Sequence, residues 1–252
     1  EGHDVIGVFI RTWTPEWTTC TWRDERRDAM RVCAHLDIPF LECDAEKAYK
    51  REVADYMIEE YKLGRTPNPD VMCNRAIKFG AFADFAKEHG ADAIATGHYA
   101  QVIKKGDTYA MERGVDEAKD QSYFLWTLTP EDLSRVFFPI GHLPKEKVRM
   151  LAKKYDLPTA TKKDSQGVCF LGMIDMKEFL AHYVDTKEGN VLDRSGQIIG
   201  KHPGALFFTI GERHGFTTEK SSDNDKPQYV IAKDMKANTI TVTELTERKE
   251  SS

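Results

Sequence analysis

No stretch of this sequence approaches the ~20 consecutive apolar residues of a membrane-spanning helix, and no secretory leader opens it. Membrane insertion and export are therefore not expected, and the chain reads as cytoplasmic. Cysteine is scarce: Cys20, Cys33, Cys43, Cys73 and Cys169 form no Cys-x-x-Cys pair and no zinc-like cluster with histidine. That argues against a disulfide framework and a structural metal site, and leaves reduced thiols, one or two of them available for chemistry. Positive charge is not in excess either. A net charge of −5 argues against indiscriminate nucleic-acid binding while allowing a local basic face. No internal repeat is evident. What remains, 40% hydrophobic and 31% charged residues over 252 positions, is a globular composition with room for one large domain or two to three small ones.

The stretch around which the chain is organised is Arg65-Thr66-Pro67-Asn68-Pro69-Asp70-Val71-Met72-Cys73-Asn74. Pro67 and Pro69 hold the backbone extended and bar Thr66 and Asn68 from the α region. Asp70 is then the expected N-cap, and a helix from Val71 places Cys73 in its first turn. There, unpaired N–H groups and the positive dipole end favour a thiolate. A lone cysteine after a turn is more often a small buried hydrophobe. Arg65, Asn68 and Asp70 crowd this one with polar groups that core packing does not require.

Val5-Ile6-Gly7-Val8-Phe9-Ile10 is a continuous apolar run, the pattern of a parallel strand buried on both faces. Such a sheet normally has a preceding strand and helix, so Glu1-Gly2-His3-Asp4 reads as the tail of an earlier unit. The loop from Arg11 to Thr21 follows at the carboxyl end of that strand, where open α/β sheets hold ligands. Trp13, Trp17 and Cys20 either line a site or pack the loop. Ala29, Val32, Cys33 and Leu36 recur at helical spacing, with Cys33 in the core. Pro39 to Cys43 is a short strand, Ala45 to Leu63 a helix closed by Gly64, and Ala93 to Thr96 another buried strand ending in Gly97-His98-Tyr99. Gly97 either lets a nucleotide approach the backbone or serves a simple turn. This alternation predicts a doubly wound α/β domain.

Val102 to Arg113 reads as a hairpin turning at Lys104-Lys105-Gly106-Asp107. Pro144 opens a helix with Val148, Leu151 and Tyr155 as its buried stripe. From Lys145 to Lys163, seven cations face two anions, a net +5. Most such runs are solvated helix faces, so alone it is a weak sign of phosphate binding. Ser165-Gln166-Gly167-Val168-Cys169-Phe170-Leu171-Gly172 then places a second cysteine between two glycines after lysines, where a thiol can move and ionise. Beyond Gly172 the pattern changes to a short helix (173–183), a hairpin signal over Val191 to Ile199, a polar loop (217–227) and a last hairpin joining Gln228–Ala232 to Thr239–Thr243. The expected divisions are a catalytic domain over residues 1–172, a small α+β middle domain over 173–225, and the beginning of a β-barrel over 226–252.

Four motifs in order, Gly64 to Asn74, Ala95-Thr96-Gly97-His98-Tyr99, Lys119-Asp120-Gln121-Ser122-Tyr123 and Lys163 to Phe170, resemble the tRNA-specific 2-thiouridylases. The resemblance runs from Val5 to about Val242. It implies a Rossmann-like PP-loop ATP pyrophosphatase fold and an enzyme that adenylates the C2 oxygen of the wobble uridine with ATP, as its Mg²⁺ complex, and replaces it with sulfur. It implies that Cys169 carries a persulfide received from a sulfur-relay protein or cysteine desulfurase. Cys73 would be the nucleophile that frees the sulfur, leaving a Cys73–Cys169 disulfide. Asn68, Pro69 and Asp70 match a segment that meets the flipped-out target base, and Lys119, Asp120 and Gln121 match a tRNA contact. Gly97 and Ile10 match nucleotide-contacting positions, although Ile10 stands where the family often has methionine.

One departure is larger. The family's S-G-G-x-D-S phosphate loop belongs before Val5, and no glycine-rich equivalent occurs in these 252 residues. The chain as given is therefore expected to bind ATP poorly and not to adenylate. Glu212 also replaces a glutamine usual in the family, and the far carboxyl-terminal tRNA contacts are not found. Two other readings are a different PP-loop ATP pyrophosphatase, which needs neither cysteine, and a non-catalytic tRNA-binding fragment, whose binding weakens with salt and ignores ATP.

Overall fold

The computed structural model describes residues 2–18, 22–163, 176–219 and 226–244. The chain forms two compact units, the first built from residues 1–54 and 69–173 and the second from residues 55–68 and 174–252.

In the first unit the apolar run becomes β1 (Gly7–Arg11), which pairs in parallel with β2 (Phe40–Asp44) and sets Ile10 opposite Cys43. The crossover is α1 (Trp22–His35), whose Cys33 is buried as its spacing predicts. Gly7 makes that packing possible, since a Cβ there would collide with the Cys33 sulfur. The chain continues through α2 (Glu46–Tyr49), a π-helical stretch (Lys50–Asp55) and α3 (Tyr56–Lys62), the last of which belongs to the second unit. It re-enters the first unit as α4 (Pro69–Met72), a second π-helical stretch (Cys73–Ala81) and α5 (Phe82–Glu88).

A second parallel pair follows, β3 (Ile94–Ala95) against a strand (Val136–Phe137) that returns after the hairpin of β4 (Ala100–Lys105) and β5 (Thr108–Arg113). The hairpin reverses at Gly106, which takes a φ of 62°. Before β6, as we label Val136–Phe137, lies α6 (Pro130–Leu133), where Thr129 and Asp132 cap each other reciprocally. Phe79, Phe82, Ile94, Leu125, Val136 and Phe138 form one core, against which Val8 and Ile10 of β1 pack. Both parallel pairs therefore share a single apolar centre, giving the α/β architecture that the continuous apolar strands predict.

The helix opened by Pro144 is α7 (Lys145–Lys154), and none of its residues is fully buried. Val148 and Leu151 are only half-buried and Tyr155 is 58% exposed, so the expected stripe is not core. Polar anchors hold the segment instead. The Lys145 N–H donates to Asp116 Oδ2 at 2.9 Å, and the Arg149 guanidinium donates to the carbonyls of Ala160 at 3.2 Å and Lys162.

The second unit contains α8 (Met176–Ala181) and a five-stranded sheet. Its strands are β7 (Gly189–Leu192), β8 (Ile198–His202), β9 (Thr217–Thr218), β10 (Gln228–Asp234) and β11 (Thr239–Glu244), in the spatial order β10-β11-β7-β8-β9. The parallel pairing of β11 with β7 joins the two hairpins across residue 225, where the sequence reading places a domain division. A hairpin alone buries too little to stand, and here Val230, Ile240 and Val242 share a core with Val191 and Phe208. Among the described residues, no helix is long and apolar enough to cross a membrane.

Candidate functional site

The proline turn delivers its helix earlier than the sequence suggests. The helix begins at Pro69, so Asp70 lies within the first turn and is not its N-cap. Proline suits the first helical position because its missing N–H has no partner there and its φ is already helical. Cys73 thus falls just past the first turn, at the first residue of the π-helical stretch. The residue is buried, only 3% exposed. A π turn widens the helix and recurs where side chains must be re-aimed at a site.

Polar groups accompany Cys73 along the same helix. Asp70, Asn74 and Lys78 recur every four residues and so share one side of it. Asn74 is 3% exposed, and its Nδ2 donates to the Phe124 carbonyl at 3.1 Å. Burial raises the Asp70 carboxyl above its ordinary value, and the nearby Lys78 ammonium opposes that rise. Lys78 Nζ in turn lies 3.5 Å from His98 Nε2, and His98 Nδ1 lies 2.7 Å from Thr96 Oγ1.

His98 is only 5% exposed, with Phe79 and Phe138 each at 5.8 Å between ring centroids. Burial first, and Lys78 second, push its pKa down to about 3. It is therefore neutral at physiological pH. Because an ammonium can only donate, Nε2 accepts from Lys78 and Nδ1 carries the proton that goes to Thr96. A carboxyl raised by burial, a lysine and a neutral histidine thus accompany Cys73. The sequence reading missed Lys78 and His98. The four-residue polar spacing was a signal for Lys78, whereas His98 was hidden inside a motif noted for its glycine.

The other expected site residues lie in different surroundings. Gly97, at the carboxyl end of β3, is open: a Cβ there would meet only Ile140 Cδ1, at 4.0 Å. Ile10 packs its side chain against the core. Asn68 and Pro69 are half-buried, and Lys119 is exposed. Asp120 and Gln121 are engaged within the unit. Gln121 Oε1 accepts from the Tyr99 N–H at 3.0 Å while the Gln121 N–H donates to the Tyr99 carbonyl, also at 3.0 Å. The Asp120 carboxylate accepts from the N–H of Gly114 and the hydroxyl of Ser122, each at 2.8 Å. Although burial acts to raise it, these hydrogen bonds hold the Asp120 carboxyl below the usual range. Cys169 lies outside the described residues, and so does the expected Cys73–Cys169 pairing.

In the second unit, Glu212 accepts from the Thr209 N–H at 3.0 Å and pairs with Lys177 at 3.2 Å, which gives the unexpected carboxylate a structural task. Among the described residues, no group of three or more His, Cys, Asp or Glu side chains converges to hold a metal.

Two family models match in succession: a tRNA methyl transferase HUP domain over residues 1–173 and a tRNA methyl transferase PRC-barrel domain over residues 177–244. Curated relatives include the tRNA-specific 2-thiouridylase MnmA of Listeria welshimeri, of Listeria monocytogenes and of Bacillus subtilis strain 168. Each is 46% identical over 244 residues, which cover 96% of this chain. The chain spans 65% of the length of these relatives. The paired HUP and PRC-barrel matches agree with the two units, and with this extent of identity the chain belongs to the MnmA tRNA-specific 2-thiouridylase family.

Proposed function

We propose that this chain supplies the sulfur-handling and RNA-positioning part of a tRNA 2-thiouridylase. The observation that carries the reading is Cys73: a buried thiol where a π-helical stretch begins, on the helix that also holds Asp70, Asn74 and Lys78. In the proposed reaction ATP, as its Mg²⁺ complex, turns the C2 oxygen of the wobble uridine into a leaving group. Gly97 is open enough to accept the adenosine end, but the 252 residues hold no glycine-rich loop to cradle the triphosphate. This reading therefore assigns base binding and sulfur transfer to these residues, and not the activation.

Sulfur reaches Cys169 as a persulfide from a relay protein or cysteine desulfurase. Its terminal sulfur bonds to the activated C2 as the oxygen departs. The Cys73 thiolate then attacks the Cys169 sulfur, the carbon-bound sulfur leaves as the thiocarbonyl, and a Cys73–Cys169 disulfide forms. An external dithiol resets that disulfide, giving it two electrons and two protons and itself becoming the disulfide. Asp70, whose carboxyl burial raises and Lys78 draws back down, faces the base flipped into the site. Half-buried carboxylates otherwise drift toward the neutral form, so the lysine matters to this role.

Incubation with a cysteine desulfurase and cysteine, followed by peptide mass spectrometry, tests the assignment of the two thiols. Cys169 should gain one sulfur atom in the wild type and in Cys73→Ser, and the modification should vanish in Cys169→Ser. A persulfide found on Cys73 alone would reverse the roles and defeat this reading.

A further inference from the structure

The basic run that the function leaves unexplained has a definite form in the structure. On α7, the residues Glu146, Lys147, Met150, Lys153 and Lys154 are exposed, and at spacings of three and four they form one outward side. Several other exposed cations pair with carboxylates: Arg27 with Asp24, Lys62 with Glu59, Lys105 with Glu112, Lys201 with Glu188. Lys147, Lys153 and Lys154 have no carboxylate partner among the described residues. In a chain of net charge −5, three lysines against the single Glu146 make this side of α7 a local positive face.

The face is also held rigidly. The Lys145 N–H bonds to Asp116, Arg149 ties the helix to the carbonyls of Ala160 and Lys162, and the Tyr155 carbonyl accepts from His35 at 2.8 Å. Met150, 68% exposed, lies among the lysines, and Lys154 sits 5.8 Å from the Tyr155 ring centroid. Exposed apolar surface interleaved with unpaired lysines on a fixed helix suits the sugar-phosphate backbone of RNA, which offers regularly spaced anions and an apolar sugar face. The helix and its basic continuation run in sequence directly into the segment holding Cys169.

We infer that Lys147, Lys153 and Lys154 of α7 form a phosphate-contacting surface that holds the RNA backbone, with no part in reading its bases. The inference rests on the tRNA reading above and adds a surface to it. Three lysine contacts release three counterions, so neutralising them should lower the slope of log K against log salt by about 2 to 3.

The test is fluorescence anisotropy with a labelled tRNA transcript over a range of KCl concentrations. It compares the 252-residue chain, the triple variant Lys147→Gln/Lys153→Gln/Lys154→Gln, and a control, Lys105→Gln/Lys201→Gln, that removes paired cations. The triple variant should bind about tenfold or more weakly near physiological salt, with the reduced slope, on tRNAs with and without a wobble uridine alike. The control should match wild type. If the triple variant keeps the wild-type slope while the wild type binds tRNA, the surface is wrong and the thiolation reading stands. If the wild type binds no tRNA, both fall. Tighter wild-type binding to phosphatidylserine vesicles than to tRNA would overturn the surface in favour of a membrane.

Discussion

Lowering the pH should weaken this fold through His98 in particular. The imidazole is 5% exposed, lies between Phe79 and Phe138, and has its pKa pushed from the ordinary 6.5 to about 3 by burial and by Lys78. Above about 6.5 it is neutral both folded and unfolded and contributes nothing to the pH dependence. Between 6.5 and about 3 the unfolded chain holds a proton that the native state refuses, so stability falls with pH and levels off below that window. The difference amounts to about 2 kcal/mol at pH 5 and about 3 kcal/mol at pH 4. Asp70, with its raised carboxyl, works in the opposite sense and is common to both proteins compared. Urea unfolding of wild type and His98→Gln at pH 7.5 and pH 5 isolates the histidine. Wild type should lose about 2 kcal/mol more than the variant over that interval. Equal losses would show that His98 takes up its proton in the native state, and the neutral acceptor holding Lys78 would be withdrawn.

Leu125 is fully buried in the first unit's core, so Leu125→Ala should cost about 2–5 kcal/mol in the same urea assay; a cost near zero would mean that the turn it anchors is not packed as described. Asp120→Asn should destabilise by about 1–3 kcal/mol at neutral pH, because an amide nitrogen then faces the Gly114 or Ser122 donors. Since the Asp120 carboxyl lies below its ordinary 3.8, that stabilisation is present above 3.8 and the gap to the variant should close as pH falls below it. Burial raises the Cys33 and Cys43 thiols, with Asp44 adding to the second, so iodoacetamide at pH 7.5 should spare both in the native chain and label both in urea, as read by peptide mass spectrometry.

The parts of the fold carried by local pattern were readable. The run Val5 to Ile10 announced a parallel strand because a strand buried on both faces needs no polar alternation, and Cys33 declared itself core by its place in a helical repeat. Periodicity reports which side of a helix is apolar, however, and not whether anything covers it. Val148 and Leu151 therefore suggested a buried stripe on α7 where the structure shows a half-exposed one. Asp70 was displaced from the cap because proline tolerates the first helical position as well as it blocks the preceding one.

In the candidate site, the turn that leads into the Cys73 helix was legible from its two prolines. The Lys78 and His98 contact was not. It spans twenty residues and depends on β3 ending beside the cysteine helix, a tertiary fact that no local pattern encodes. The integral roles of Asp120 and Gln121 were equally hidden, since their partners Gly114 and Tyr99 come from separate turns of chain.

In the proposed mechanism, sulfur passes to a tRNA uridine through Cys73 and Cys169. The direct measurement is 2-thiouridine in a wobble-uridine tRNA transcript supplied with ATP, Mg²⁺ and a persulfide-generating desulfurase. The proteins to compare are this chain preceded by a segment bearing an S-G-G-x-D-S loop, and the same protein with Cys73→Ser or Cys169→Ser. The account predicts 2-thiouridine from the first and none from either cysteine variant. Undiminished 2-thiouridine from both variants would contradict it.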